Sequence, residues 1–207
     1  MGPKLRTRNQ KPEAENPGFD LFLDISLKLT GRIRKVIVDP GRTSAAVLVP
    51  LFLKNDRLHI LFTVRTDTVA THKGQISFPG GVRDTSDDSL ETTALRETEE
   101  ELGIAPREVE ILGILDDAFT LQSRFVITPV AGRIPWPCPL RPSAAEVAGV
   151  LEVPVEELQA PGAMTCTDAP TGRLYEFAWR GHRIWGATAR ILHGFFEVME
   201  TANGRPY

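Results

Sequence analysis

The sequence predicts an α/β protein of the α+β type, with a mixed β-sheet sandwiched between helices. Three observations lead there. Residues 44–53 and 58–64 are dense in Val, Leu, Ile and Phe, as buried strands are. Apolar residues recur at helical spacing near both ends of the chain. Strand-like and helix-like segments mix without the strict alternation of a doubly wound parallel sheet. In chain order, residues 19–35 place Leu21, Ile25, Leu27, Leu29 and Ile33 at helical spacing. The two apolar runs flank Asn55-Asp56 and form a hairpin. A helix starts at Asp87, Asp88 or Ser89, residues that can cap free N–H groups, and stops at Gly103. Strands follow at 109–115 and 125–134, then a stiff loop at 135–142 holding four prolines. Short helical turns are expected at 144–150 and 154–158, and a second hairpin at 174–185 around Arg180-Gly181. The last helix, 188–199, carries Ile191, Leu192, Phe195, Phe196 and Met199.

A chain of 207 residues suits one domain, expected at 19–207, behind a flexible arm at 1–18. The arm has Lys4, Arg6, Arg8 and Lys11 but no apolar stretch of the kind a secretory signal needs. A net charge of −3 and a pI near 5.9 argue against a nucleic-acid partner. No run of 18 apolar residues argues for a membrane span. Cys138 and Cys166 lack metal-type spacing and suit a reducing, cytoplasmic setting. The residues leave a homodimer open.

The chemistry concentrates at Arg96-Glu97-Thr98-Glu99-Glu100-Glu101, near the C-terminal end of a helix, where the backbone already presents negative partial charge. Glu97, Glu100 and Glu101 fall at i, i+3 and i+4 on one face, while Leu95, Thr98 and Leu102 face inward. Like charges so stacked repel, and a hard divalent cation, Mg²⁺ or Mn²⁺, would offset the clustering. The competing reading is a solvated acidic face. Phe78-Pro79-Gly80-Gly81, just upstream, lets the chain turn sharply and bring bare backbone, such as the Gly81 carbonyl, close to a ligand.

Gly81, Asp88 and the run from Arg96 to Ile104 resemble the signature of the Nudix hydrolase superfamily. Thr98 stands where that signature has an apolar residue; six residues rather than five separate Gly81 from Asp88, and Asp replaces Glu. Leu61 to Arg65, followed by Thr71-His72-Lys73-Gly74-Gln75-Ile76-Ser77-Phe78-Pro79-Gly80-Gly81, resembles the motif of the coenzyme A pyrophosphatase branch, with Ala70 where that motif has a second arginine. Ile184 to Arg190 is similar to the same branch. The resemblance implies a Nudix fold and metal-dependent hydrolysis of a phosphoanhydride. It implies a small-molecule nucleotide or coenzyme A as substrate and Mg²⁺ or Mn²⁺ as cofactor. Glu97, Glu100, Glu101 and the Gly81 carbonyl are the expected metal ligands. Glu100, Glu101 or Glu146 is the expected base. Arg96 is expected to point away from the metal face and tie the helix to the glycine loop through Asp87 or Asp88. Arg65, a planar fork at a strand end, and the donors His72, Lys73 and Gln75 are the expected substrate contacts. Two other functions stay open: a Nudix hydrolase of ADP-ribose, NADH or a nucleoside triphosphate, and a non-catalytic nucleotide-binding module. Trp136, Trp179, Trp185 and His193 read as packing residues, with Trp185 also able to line a ligand pocket.

Overall fold

A computed structural model describes residues 17–66, 74–120, 124–170 and 172–201. The elements in order are α1 (Pro17–Thr30), β1 (Thr43–Lys54), β2 (Arg57–Arg65), β3 (Ile76–Ser77), β4 (Gly80–Val82) and α2 (Leu90–Leu102). After them come β5 (Glu110–Ile114), β6 (Ala118–Phe119), β7 (Phe125–Arg133), β8 (Val147–Pro154), α3 (Val155–Leu158), β9 (Met164–Ala169), β10 (Gly172–Trp179), β11 (His182–Trp185) and α4 (Gly186–Thr201).

The strands of β1 and β2 are long because their residues are β-branched or aliphatic and buried on both faces. They join antiparallel through Asn55 and Asp56, whose φ of 52° and 59° give the double left-handed turn that matches strand twist. The larger sheet runs β3-β2-β1-β7-β5, with β4 on β1, β6 on β7 and β8 on β2. It is mixed because β1 and β7 are parallel while the other pairs are antiparallel. Two apolar layers cover it. One contains Phe22, Ile25 and Leu29 of α1 and Leu192, Phe195 and Phe196 of α4, against Val49, Leu51, Ile60 and Phe62. The other gathers Ala94 and Leu102 of α2 with Ala46, Leu48, Phe52 and Leu61. Alternation along β1 thus sends even-numbered residues from Ala46 toward α2 and Val49 and Leu51 toward α1 and α4. The expected sheet between helices is what forms.

Two expectations need correction. The helical turn expected at 144–150 gives way at Val147 to strand β8, paired antiparallel with β2 from His59↔Pro154 to Arg65↔Val147, whereas the one expected at 154–158 forms as α3. Helix α1 stops at Thr30 rather than 35, with the Gly31 N–H on the Leu27 carbonyl at 2.9 Å. Beyond it the chain has no regular secondary structure and is held from outside, because Asp116 takes the Arg32 guanidinium and the Lys35 N–H, and Asp117 takes Arg34 and the Ile37 N–H. Strand β9, mostly exposed, completes a separate three-stranded sheet, β11-β10-β9, whose β10–β11 hairpin is the one expected around Arg180-Gly181. Trp136 stacks on Phe52 at 4.0 Å, Trp179 donates to Glu157 at 2.7 Å, and His193 stacks on Tyr175 at 3.9 Å, as packing residues do; Trp185 is exposed.

Candidate active site

Helix α2 has a well-defined start and stop. Ser89, in extended conformation, accepts the Thr92 N–H on its hydroxyl, and Gly103 at φ 73° returns its N–H to the Glu99 carbonyl. Ala94, Thr98 and Leu102 are fully buried and seat the helix on the sheet. Thr98 holds its inward position because its hydroxyl is satisfied by the Ala94 carbonyl at 2.6 Å.

The flank of the helix next to that inward stripe meets the glycine turn. Gly80 and Gly81 pair with Val47 and Ala46 of β1, and the Pro79 carbonyl accepts the Leu48 N–H. Gly80 adopts φ 155°, and a Cβ there would strike the Ala46 carbonyl; a Cβ on Gly81 would strike the Glu97 carboxylate. Gly80 is thus required by the close approach to β1 and its positive φ, and Gly81 by the close approach to a glutamate. Glu97 therefore lies against Gly81 with its side chain 16% exposed, Glu101 is buried, and Glu100 stands in solvent at 59%.

The acids facing this corner are electrostatically unsatisfied. Burial pushes the Glu101 carboxyl up to about 7; Arg65 opposes the rise, the charges of Glu146 and Glu97 add to it, and a Gly80 N–H bond opposes it again. Burial raises Glu97 as well, against a hydrogen bond from Arg96 and with repulsion from Glu100 and Glu146. Glu146 itself is exposed, on a turn tied to the helix end by the Ser143 N–H on the Glu101 carbonyl at 2.8 Å. The Thr66 N–H on the Glu146 carbonyl at 3.0 Å ties the same turn to the chain just past β2. Arg65 ends β2 with its Nε buried and without a hydrogen-bond partner. The Gln75 carbonyl accepts the Arg65 N–H at 3.0 Å. His72 and Lys73 lie outside the described residues.

Arg96 does tie the helix to the glycine loop, and of the two aspartates it uses Asp87. Its Nε and Nη2 donate to Asp87 at 3.1 and 3.0 Å and Nη2 to the Val82 carbonyl at 3.2 Å. It does not turn away from the acidic face. Nη1 reaches Glu97 at 2.8 Å and Glu100 at 3.2 Å, because the guanidinium fork spans both sides of the helix ridge. Asp87 is also held by the Thr93 hydroxyl at 2.8 Å and the Asp84 N–H at 2.9 Å. The Arg96 bond, above all, keeps its carboxyl well below the usual carboxylate range. Sequence reasoning left Asp87 and Asp88 undecided, and it missed the Gly80 N–H as a donor to Glu101. The Pro-Gly-Gly turn was the available signal.

Among the described residues no group of three or more acidic, histidine or cysteine side chains converges closely enough to hold an ion. The donor set nevertheless suits one. Burial, with the added charge of Glu146, raises the proton affinity of both Glu97 and Glu101, and carboxylate oxygens so placed suit a hard divalent ion.

A mixed sheet between helices, with a glycine turn laid on an Arg-Glu-x-x-Glu-Glu helix, defines a Nudix-type protein. Residues 42–173 match the NUDIX domain family. The chain is 38% identical over 153 residues to the uncharacterized Nudix hydrolase NudL of Photorhabdus laumondii, covering 72% of this chain and 81% of that protein. In fold it is similar to the Nudix hydrolase RenU of M. smegmatis (TM-score 0.52, 18% identity, 81% of this chain and 89% of that one). It is also similar to a NUDIX hydrolase from Nitrosomonas europaea (TM-score 0.52, 19% identity, 82% and 77%). The chain belongs to the Nudix hydrolase family.

Proposed function

We propose that this chain hydrolyses the phosphoanhydride bond of a nucleoside diphosphate derivative, with coenzyme A or an acyl-coenzyme A as substrate. Water is consumed, and 3′,5′-ADP and (acyl)phosphopantetheine are released. The observation that carries this reading is the juxtaposition of Glu97, Glu101 and Glu146, two of them with raised proton affinity, beside the bare backbone of Gly81 and the unpartnered Arg65 Nε. Bound Mg²⁺ or Mn²⁺, held by Glu97, Glu100, Glu101 and the Gly81 carbonyl, would supply charge neutralisation and an acidified water.

The chain's own groups do the rest. Arg65, with His72, Lys73 and Gln75, binds phosphate oxygens through N–H donors, and the Arg65 fork fixes their orientation. A carboxylate oxygen of Glu100, Glu101 or Glu146 accepts the proton of the attacking water. Arg96 touches no substrate; held by Asp87, it orients Glu97 and Glu100. The functional unit is taken as 19–207.

Supporting the coenzyme A assignment is the match of residues 61–65, 71–81 and 184–190 to that branch's motifs. Ala70, in place of a second arginine, favours a second reading in which another nucleotide such as ADP-ribose, NADH or a nucleoside triphosphate is cleaved. A panel of these compounds with Mg²⁺ or Mn²⁺, followed by product mass, tests both. Release of 3′,5′-ADP with phosphopantetheine at the highest kcat/KM is the expected result, and preferential cleavage of another member replaces the assignment. No turnover of any member, with metal-independent nucleotide binding, would leave a binding module.

A further inference from the structure

Away from the acidic corner, two arginines converge on one aromatic ring, only one of them with a carboxylate partner among the described residues. The Arg190 guanidinium lies 4.6 Å from the centroid of Phe119, and that of Arg42 lies 5.4 Å from it. Arg42 is anchored: its Nε meets Asp39 at 3.0 Å and its Nη1 donates to the Thr120 carbonyl at 2.9 Å. Arg190 has no carboxylate partner among the described residues. A third guanidinium, Arg124, lines with Asp39, Gly41 and Arg42 a cavity of about 180 Å³ beside them. The ring attracts both cations but carries no net charge, so excess positive charge remains for an anion to neutralise.

The backbone places this group within reach of the active corner. Phe119 lies on β6, opposite Val126 at the start of β7. Thr43, next to Arg42, opens β1 opposite Phe125. Three residues further along β1, Ala46 faces Gly81, so at about 3.3 Å per residue Arg42 lies roughly 13 Å along the strand from the glycine turn. The other arginine is linked to the same corner through α4. The Thr188 hydroxyl donates to the Ile76 carbonyl at 3.2 Å, and Ile76 pairs with Val64, the neighbour of Arg65. Arg190 follows two residues later on the helix.

We propose that Arg42, Arg190 and Phe119 form a second anion site, which takes a phosphate monoester of the substrate remote from the bond cleaved, of the kind carried at the 3′ position of a 3′-phosphoadenosine. The inference rests on the nucleotide reading of the active corner and deepens it. Guanidinium forks match the oxygens of a dianionic phosphate, and a ring that holds their planes reduces the freedom lost on binding. Substrates lacking this phosphate would leave the excess of guanidinium over carboxylate at this site uncompensated, so the site discriminates among nucleotides that share the same diphosphate.

The test is a calorimetric titration of the full chain in EDTA with 3′,5′-ADP and with 5′-AMP, which differ only in the 3′-phosphate. The intact chain is expected to prefer 3′,5′-ADP at least tenfold, Arg190→Ala and Arg42→Ala to bring the ratio near one, and Arg190→Lys to keep part of it. Unchanged thermal unfolding of Arg190→Lys separates lost recognition from lost folding. Equal binding of both nucleotides by the intact chain overturns the proposal, as does a preference that survives in Arg190→Ala. The substrate panel reads the hydrolase assignment separately. Turnover of diphosphates without the 3′-phosphate preference sinks this site alone, and the preference without any turnover sinks the hydrolase reading alone.

Discussion

Asp87 and Glu101 flank the same helix and are almost equally buried, at 5% and 3% exposure, yet their surroundings act on them in opposite directions. Asp87 accepts from Arg96 twice, from Thr93 and from the Asp84 N–H, and its carboxyl is held ionised far below the ordinary range. Glu101 has a Gly80 N–H and the field of Arg65 against burial and two neighbouring glutamates, and its pKa rises to about 7. Burial is common to both. What separates a structural acid from a reactive one is whether its charge has already been neutralised by the chain. The Asp87 side of α2 is an anchor; the Glu101 side has charge left over for a ligand.

The largest expected effect breaks the reactive side. Glu101→Gln keeps the shape and removes the charge, so turnover should fall by about 10²–10⁴-fold, the range lost with a general base or its equivalent. The fold should persist, since the buried carboxylate gives way to a neutral amide of the same size. Steady-state kinetics with saturating Mg²⁺ or Mn²⁺ checks it, and near-normal turnover would show that the buried acid is not used. Breaking the anchor should cost less. Asp87→Asn weakens the grip on Arg96, and with it the placement of Glu97 and Glu100, so a loss of about 10–100-fold in activity or metal affinity is expected. A loss as large as that of Glu101→Gln would erase the distinction between the two sides.

Much of this contrast was legible in the sequence because it is local. Ser89, Gly103 and the i, i+3, i+4 glutamates lie within fifteen residues, and the helix they specify forms with those caps. Glu146 was reached through the family resemblance. Its charge acts on Glu97 and Glu101 only because β8 follows β2 and brings the 143–147 turn to the end of α2. That strand escaped a local reading: Val147 to Pro154 carries three valines, which favour strand, but also Ala148, Gly149 and Glu152 with no clean apolar alternation, and its partner lies some ninety residues upstream. Strand β9 was missed for the opposite reason, since its exposed residues show no apolar alternation. The exposed Arg96 fork reaching Glu97 and Glu100 could not be read from helical spacing, which fixes where a Cα lies and leaves a long side chain free.

The two sides can be separated by pH without any substrate. A carboxyl whose folded pKa is raised from 4.5 to about 7 contributes stability that is fully present below pH 4.5 and is lost as pH rises through 7. Metal-free protein should therefore be less stable at pH 8 than at pH 5 by about 2.5 kcal/mol from Glu101, with Glu97 adding in the same direction. The lowered acids, Asp87 among them, lose their contribution only on acidification below their ordinary range, outside this window. Denaturant unfolding in EDTA at the two pH values reads the difference, and Glu101→Gln should flatten most of it. A stability that rises from pH 5 to pH 8 would mean the glutamates are already neutralised within the chain.

The smallest effect belongs to the helix's inward face, where the family pattern has an apolar residue and this chain has Thr98. The hydroxyl is buried and bonded to the Ala94 carbonyl, which is already the acceptor in the helix ladder, so removing it leaves no polar group stranded. Thr98→Val loses one hydrogen bond, worth about 1 kcal/mol net, and buries one more methyl, worth a similar amount. Stability should change by less than about 1 kcal/mol and kcat/KM should not change, because the substitution touches neither the anchor nor the reactive acids. A tenfold fall in kcat/KM with stability intact would show that the seat of the helix tunes the carboxylates directly, and the division between anchor and reactive side would then have to include the face that packs on the sheet.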